Sequence, residues 1–218
     1  MLFLLGHAYL WSIGVEHGDP SLWNMLYDPV TNCGVFSDYD LAILRGQARL
    51  FGDQRTGTVA FMAVELLSNE YFEGQLQRQY GHELEAFIWV FAFASLHYRE
   101  GRAKKNSPVS GWSTSNYIAC RRHKADFWRS QELIKLRSTA ETDCADQLEL
   151  IVQLVRWAYK LDGARGDAAI YSDAGPLPGS DMRSTLASFL TTLKSSKIQL
   201  APLEEVVAKL EEISQAGE

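Results

Sequence analysis

The chain holds 218 residues, 46% hydrophobic and 22% charged, the balance of an ordinary folded chain rather than a disordered one. Lys and Arg number 21 against 27 Asp and Glu, a net charge of −6, which speaks against a general nucleic-acid binder. No run of 18 apolar residues occurs, so no membrane span is expected, and Cys33, Cys120 and Cys144 form no CxxC pair, which fits reduced thiols in an intracellular chain, cytoplasmic or nuclear.

Residues 1–14 read as a buried helix. No charged side chain occurs from Met1 to Val15, so the basic start of a signal peptide is lacking. Through Leu44 the chain has no Lys or Arg but carries Glu16, Asp19, Asp28, Asp38 and Asp40. Such acids either sit apart in solvent or, if gathered, need a cation to relieve their repulsion. Residues 24–27 and 35–37 read as two short strands around a turn at 29–34. That hairpin leaves Asp19 and Asn24 flanking a tight loop and Asp38 at its far end, three oxygen-bearing side chains near one point.

Residues 38–58 read as a polar surface loop, and 60–67 as a short apolar segment of one or two helical turns. From Glu83 to Tyr98 the apolar side chains run almost without break, as in a helix buried nearly all round that forms the spine of a core. Between 99 and 138, ten basic residues face three acids, either a contact surface for phosphate or an acidic partner or, more simply, a solvated face. A second apolar helix is expected over 143–161 and a loop over 162–181, where four Gly and two Pro fall. A weaker helix follows over 182–194. In 201–218, Leu203, Val206, Val207, Leu210 and Ile213 repeat as in an amphipathic helix. The fold class expected is mainly α with one small β-hairpin.

The stretch His17-Gly18-Asp19-Pro20-Ser21-Leu22-Trp23-Asn24 matches H-x-D-x-x-x-x-N, the pattern of a kinase catalytic loop. Asp38-Tyr39-Asp40 follows in the place of D-F-G, and Thr56-Gly57-Thr58-Val59-Ala60-Phe61-Met62-Ala63-Val64-Glu65 resembles the close of an activation segment. Then Glu83-Leu84-Glu85-Ala86-Phe87 resembles the opening of the long buried helix. Each piece alone is weak, but four in this order are specific. Together, S-D-Y-D-L-A, R-T-G-T-V-A-F-M-A-V-E-L-L and H-E-L-E-A-F resemble the fungal-type protein kinase family over residues 1–98. Small-molecule kinases share the first motif but not the third.

The resemblance implies a protein kinase-like carboxyl-terminal lobe over residues 1–200, with a catalytic loop at 17–24, a D-F-G equivalent at 38–40 and an activation segment at 38–65. It implies that Asp19 takes the proton of a substrate hydroxyl, and that Asn24 and Asp38 hold Mg²⁺ against the phosphates of ATP. It further implies that His17 braces the loop, that Thr58 lines the substrate groove, and that Glu65 pairs with a buried arginine, Arg156 being one candidate. The expected partner is a protein substrate or another protein, with neither nucleic acid nor membrane.

Three departures bear on activity. Gly18 stands in place of an Arg that meets a phosphorylated loop, and Ser21 where many kinases have a Lys near the γ-phosphate. Glu83 replaces an Asp that ties the long helix to the catalytic loop. Only 16 residues precede His17, no G-x-G-x-x-G occurs, and the first lysine is Lys104. The parts that cover ATP in a kinase are therefore not expected within these residues. Two readings follow: a Ser/Thr protein kinase chain inactive by itself, or a pseudokinase fragment serving as an interaction module. Either predicts exposed apolar surface around the first helix.

Overall fold

The computed structural model describes residues 2–31, 33–45, 57–129, 145–171 and 176–195, together with Leu136, Ala208, Lys209 and Glu212. Helix α1 spans Leu2–Ser12. Leu4, His7, Ala8 and Trp11 recur at steps of three and four and are buried, so α1 offers one stripe to the core. Tyr9 and, just beyond the helix, Ile13 are more than half exposed, so the helix is buried on one side only. It stops at Gly14, whose φ of +85° suits a residue without a Cβ.

Among the described residues the sheet content is three antiparallel ribbons. Strand β1 (Val15–Glu16) pairs with β4 (Ile43–Leu44), Val15 opposite Leu44. Two residues carry no alternation to read, and the sequence gives only a loop there. Strands β2 (Met25–Asp28) and β3 (Cys33–Phe36) form the expected hairpin, in register Met25 to Phe36 and Asp28 to Cys33. The Asp28 carboxylate starts the turn by accepting from Val30 N–H at 2.9 Å and Thr31 O–H at 2.6 Å. Asn24, expected at the start of the first strand, instead closes a 3₁₀ turn over Leu22–Asn24.

The segment after Gly57 is not helical. From Ala60 to Leu67 it runs as successive turns, and Ala60, Phe61, Met62, Ala63, Val64, Leu66 and Leu67 are all buried. Helix α2 (Asn69–Phe72) follows, capped by Ser68, and then α3 (Tyr80–His97). Gln79 and His82 form a reciprocal cap at the start of α3. Leu84, Ile88, Trp89 and Ala92 have no exposed surface, which makes α3 the spine of the core, as expected. Strands β5 (Tyr98–Arg99) and β6 (Arg102–Ala103) make the third ribbon.

Helix α4 (Tyr117–Arg129), α5 (Ala145–Tyr171) and α6 (Met182–Lys194) complete the described fold, and α5 and α6 pack on α3. Helix α5 overruns its expected end by ten residues, through Gly163 and Gly166. Both glycines meet nothing within 4 Å. Each costs about 1 kcal/mol of helix propensity, and the anchor that outweighs them is Arg165. It is buried, donates from Nε to the Pro178 carbonyl at 3.0 Å and pairs with Glu65 at 3.3 Å. The expected helix over 201–218 lies almost wholly outside the described residues. No described helix is long and apolar enough to cross a membrane.

Gly81 shows how closely this anchor is packed. A Cβ there would stand 2.5 Å from Arg165 Nη2 and 2.8 Å from Leu161 Cδ2. Gly81→Ala therefore destabilises the fold by about 1–3 kcal/mol through overpacking, against the usual helix preference. Gly163→Ala, in open space, stabilises it by about 0.5–1 kcal/mol. Urea denaturation of both variants checks the opposite signs; a shared sign would refute the packing account.

Candidate functional site

The 17–24 loop is set by its backbone. Gly18 has φ +84°, and a Cβ on it would fall 2.6 Å from the Leu41 carbonyl oxygen. The arginine position of the family pattern is thus filled by the one residue this close approach admits. His17 is fully buried against Phe36 and Tyr39, with ring centroids at 4.9 and 4.8 Å. The Ser37 carbonyl lies 3.1 Å from its Nε2, and Asp19 N–H donates to its Nδ1 at 3.3 Å. A carbonyl only accepts, so the ring is neutral with its proton on Nε2. Burial also holds its pKa below the ordinary histidine value. His17 therefore braces the loop against the end of the hairpin, the place its sequence position implied.

The Asp19 carboxylate is held from two directions. Thr58 gives its backbone N–H to Oδ1 at 2.7 Å and its hydroxyl to Oδ2 at 2.9 Å. Asn24 Nδ2 donates to Oδ2 at 3.2 Å and to the Asp19 carbonyl at 3.1 Å. Since both of those partners are acceptors, the Asn24 amide oxygen faces the other way. Ser37 N–H donates to the Asn24 carbonyl at 2.9 Å, which fastens the residue before Asp38 to the loop. Asp38 has φ +62° and an exposed side chain with no hydrogen bond among the described residues. A non-glycine residue in that region is uncommon and strained. Asp19, Asn24 and Thr58 thus meet directly, and Asp38 joins them through the backbone of Ser37. No group of three or more His, Cys, Asp or Glu that would hold a metal occurs among the described residues.

Glu65 pairs with a buried arginine, which is Arg165 rather than the candidate Arg156. Arg156 is exposed on α5. The partners are His82, whose Nε2 lies 2.7 Å from Glu65 Oε2, and Arg165 at 3.3 Å. Arg165 sits in a stretch that reads as loop, and His82 opens the H-E-L-E-A-F motif, which marks the residue but not its partner. Burial alone would raise the Glu65 carboxyl, but the His82 hydrogen bond and nearby positive charge, including that of Arg165, hold it below its ordinary value. His82 accepts Gln79 N–H on Nδ1 at 2.9 Å, so it too is neutral with the proton on Nε2.

Glu83 is also tied differently. It is fully buried, and its two oxygens meet His7 of α1 at 2.9 Å and Arg78 at 2.8 Å, not the 17–24 loop. Burial would raise this carboxyl, yet the Arg78 charge and the His7 hydrogen bond bring it down to about 2. Among the ten basic residues read between 99 and 138, Lys124 is not on the surface: it has no exposed area and donates to the Met62 carbonyl at 2.6 Å. At the first helix the exposed apolar side chains are Tyr9 at 55% and, just beyond it, Ile13 at 57%; others, such as Trp23, Tyr27 and Val30, lie on the following loop and hairpin.

A family model described as fungal protein kinase matches residues 4–94, so this part of the chain is similar to that family. Neither a curated protein nor a solved structure matches the chain.

His82 makes the site sensitive to acid. Burial brings its pKa from 6.5 down to about 4. Between those values the unfolded chain binds a proton that the folded chain refuses, so stability falls as pH drops through that window. Glu85 works in the opposite sense, because burial raises its carboxyl from 4.5 to about 7. The two are separated by variant: from pH 6.5 to pH 4 the melting temperature of the wild type is expected to fall more steeply than that of His82→Gln. Parallel curves would mean that His82 takes up no proton on unfolding.

Proposed function

We propose that residues 1–200 are the carboxyl-terminal, substrate-side lobe of a protein kinase-type phosphotransferase that passes the γ-phosphate of ATP to a Ser or Thr hydroxyl of a protein. The observation that carries this reading is the fixing of Asp19. A carboxylate offers about four lone-pair sites. Oδ2 accepts from Thr58 and Asn24, and Oδ1 accepts only from Thr58 N–H. One site on Oδ1 is left for an incoming hydroxyl, whose proton Asp19 would receive as the oxygen turns toward the phosphate. Thr58, already bonded to Asp19, sets the angle of that approach.

The residues beside Asp19 suit a hard cation. The Asn24 amide oxygen faces away from Asp19, and Asp38 presents an exposed carboxylate without a hydrogen bond among the described residues. Mg²⁺ takes oxygen ligands and is held by one or two protein groups plus phosphate. Asn24 and Asp38 would be those groups, and the bound ion would neutralise charge on the transferred phosphate. His17 holds both sides together by joining Asp19 to Ser37.

Residues 1–218 contain no G-x-G-x-x-G and no lysine before Lys104. Phosphoryl transfer depends on positioning and charge from both walls of the site. The second wall must come from outside these residues, and alone they would transfer little or no phosphate. An interaction module of pseudokinase type is the second reading. It is favoured by the exposed Leu26 and Val35, which sit opposite each other on one face of the β2–β3 ribbon, and by the exposed Val30 at its turn.

Calorimetry of residues 1–218 with MgATP is expected to give weak or undetectable binding. Micromolar affinity that Asp38→Ala abolishes would overturn the view that these residues need a second wall. In a protein that also carries a Gly-rich nucleotide lobe, Asp19→Asn is expected to slow peptide phosphorylation by about 10²–10⁴-fold with the melting curve kept. Unchanged turnover would remove Asp19 from the role of base.

A further inference from the structure

Lys124 is an ionisable side chain buried in the core. It lies on α4 with no exposed area, and its ammonium stands 4.8 Å from the centroid of Trp89 and 5.9 Å from that of Trp112. Its ammonium donates to the Met62 carbonyl at 2.6 Å. Two residues further on, Glu85 of α3 accepts the Val64 N–H at 2.8 Å with the same oxygen that takes Trp89 Nε1–H at 2.9 Å. An acid and a base from different helices therefore hold the two peptide groups on either side of Ala63, and both touch Trp89.

From Met62 the connection continues to Asp19. Met62 N–H and Phe61 N–H donate to the Thr58 carbonyl at 3.2 and 2.8 Å, and Thr58 gives both its donors to Asp19. Cys120, one turn before Lys124 on α4, lies 3.5 Å from the Val59 carbonyl. Helix α4 thus grips the 58–65 segment at two carbonyls.

We propose that Lys124 is a positioning residue which, as a cation held between Trp89 and Trp112, fixes the Met62 carbonyl and through it the contact of Thr58 with Asp19. The consequence for phosphate transfer rests on the function proposed above; the positioning itself does not. Packing alone gives no reason for a lysine here. Burying an ammonium costs several kcal/mol, and apolar replacement of buried ions is often neutral or stabilising. What a methionine cannot supply is a charged donor to a carbonyl in a segment that lacks regular hydrogen bonding.

Charge state gives the test its signature. Burial lowers the Lys124 ammonium to about 8. The groups facing it are Glu85 of α3, raised by burial to about 7, and Cys120 of α4, whose thiol burial raises; Arg165 and Asp162 of α5 act on Glu85 from behind. From pH 7 to pH 8 Glu85 and Lys124 are thus charged together, and above pH 8 the lysine becomes a neutral, weaker donor without its hold on the rings.

The experiment is hydrogen-exchange mass spectrometry on residues 1–218, corrected for the intrinsic exchange rate, with no nucleotide present. In the wild type, protection across 58–64 is expected to fall about tenfold or more on passing from pH 7 to pH 9, while peptides of α3 keep theirs. In Lys124→Met the segment is expected to be unprotected to that degree at every pH, with the global melting midpoint retained. A wild type without that step overturns the proposal even if Lys124→Met fails to fold. Equal protection of 58–64 in the variant and the wild type at pH 7 overturns it as well. Because no phosphate transfer is read, failure here is distinct from failure of the proposed activity.

Discussion

The structure depends on a buried segment that has no regular hydrogen bonding of its own. Most of residues 58–67 are buried, yet within the segment only Phe61, Met62, Leu66 and Leu67 find a carbonyl for their N–H, in separate turns. A buried peptide group without a partner costs about as much as a lost hydrogen bond. Partners must therefore be brought in as side chains. Asp19 takes the Thr58 N–H, Lys124 reaches the Met62 carbonyl, Glu85 takes the Val64 N–H, and the Glu65 carboxylate is itself held by His82 and Arg165. Four of these six side chains come from α3, α4 and α5, and each is buried. Buried polar groups from three helices converge on this one strip of backbone.

That arrangement explains the uneven burial of charge. A buried acid or base is costly unless paired and hydrogen-bonded. Here Glu83 meets that cost with Arg78 and His7, and Glu65 with Arg165 and His82. Glu85 and Lys124 are paired less completely: Glu85 Oε2 is buried without a hydrogen bond, and the Lys124 ammonium leans on two indole rings. Their ionisation lies near neutrality for that reason. The well-paired acid, Glu83, joins α1 to α3 and is a matter of fold. The poorly paired groups both act on the 58–65 strip.

What the sequence made legible follows the same division. Asp19, Asn24 and Asp38 could be placed because their spacing is a local pattern, and α3 because its apolar run leaves no other reading. The hairpin was legible from its turn residues. The partners of the 58–65 strip were not. Lys124 and Arg165 come from helices far along the chain, and nothing in their own neighbourhoods marks them: Lys124 sits in a basic stretch that reads as surface, and Arg165 among glycines that read as loop; His82 is marked by the H-E-L-E-A-F motif, but the motif does not point to Glu65. Propensity also failed at 60–67, where an apolar run suggested helix. Capture of its peptide groups by side chains outbid local pairing.

Glu83 shows where this leaves the 17–24 loop. The family pattern puts at that position an Asp that ties the long helix to the loop, and the longer side chain here turns to His7 and Arg78 instead. The loop consequently has no anchor to α3 through this residue. Side-chain anchors of the loop run from His17 to Ser37 and from Asp19 to Thr58, together with the backbone bond from Ser37 to Asn24. One tie runs to an exposed hairpin whose strands have four residues each, and a short ribbon alone is marginally stable in water. The firmer tie is Thr58, at the head of the buried strip. The position of Asp19 is therefore inherited from the strip, and through it from the helices that grip Met62, Val64 and Glu65 at some distance along the chain.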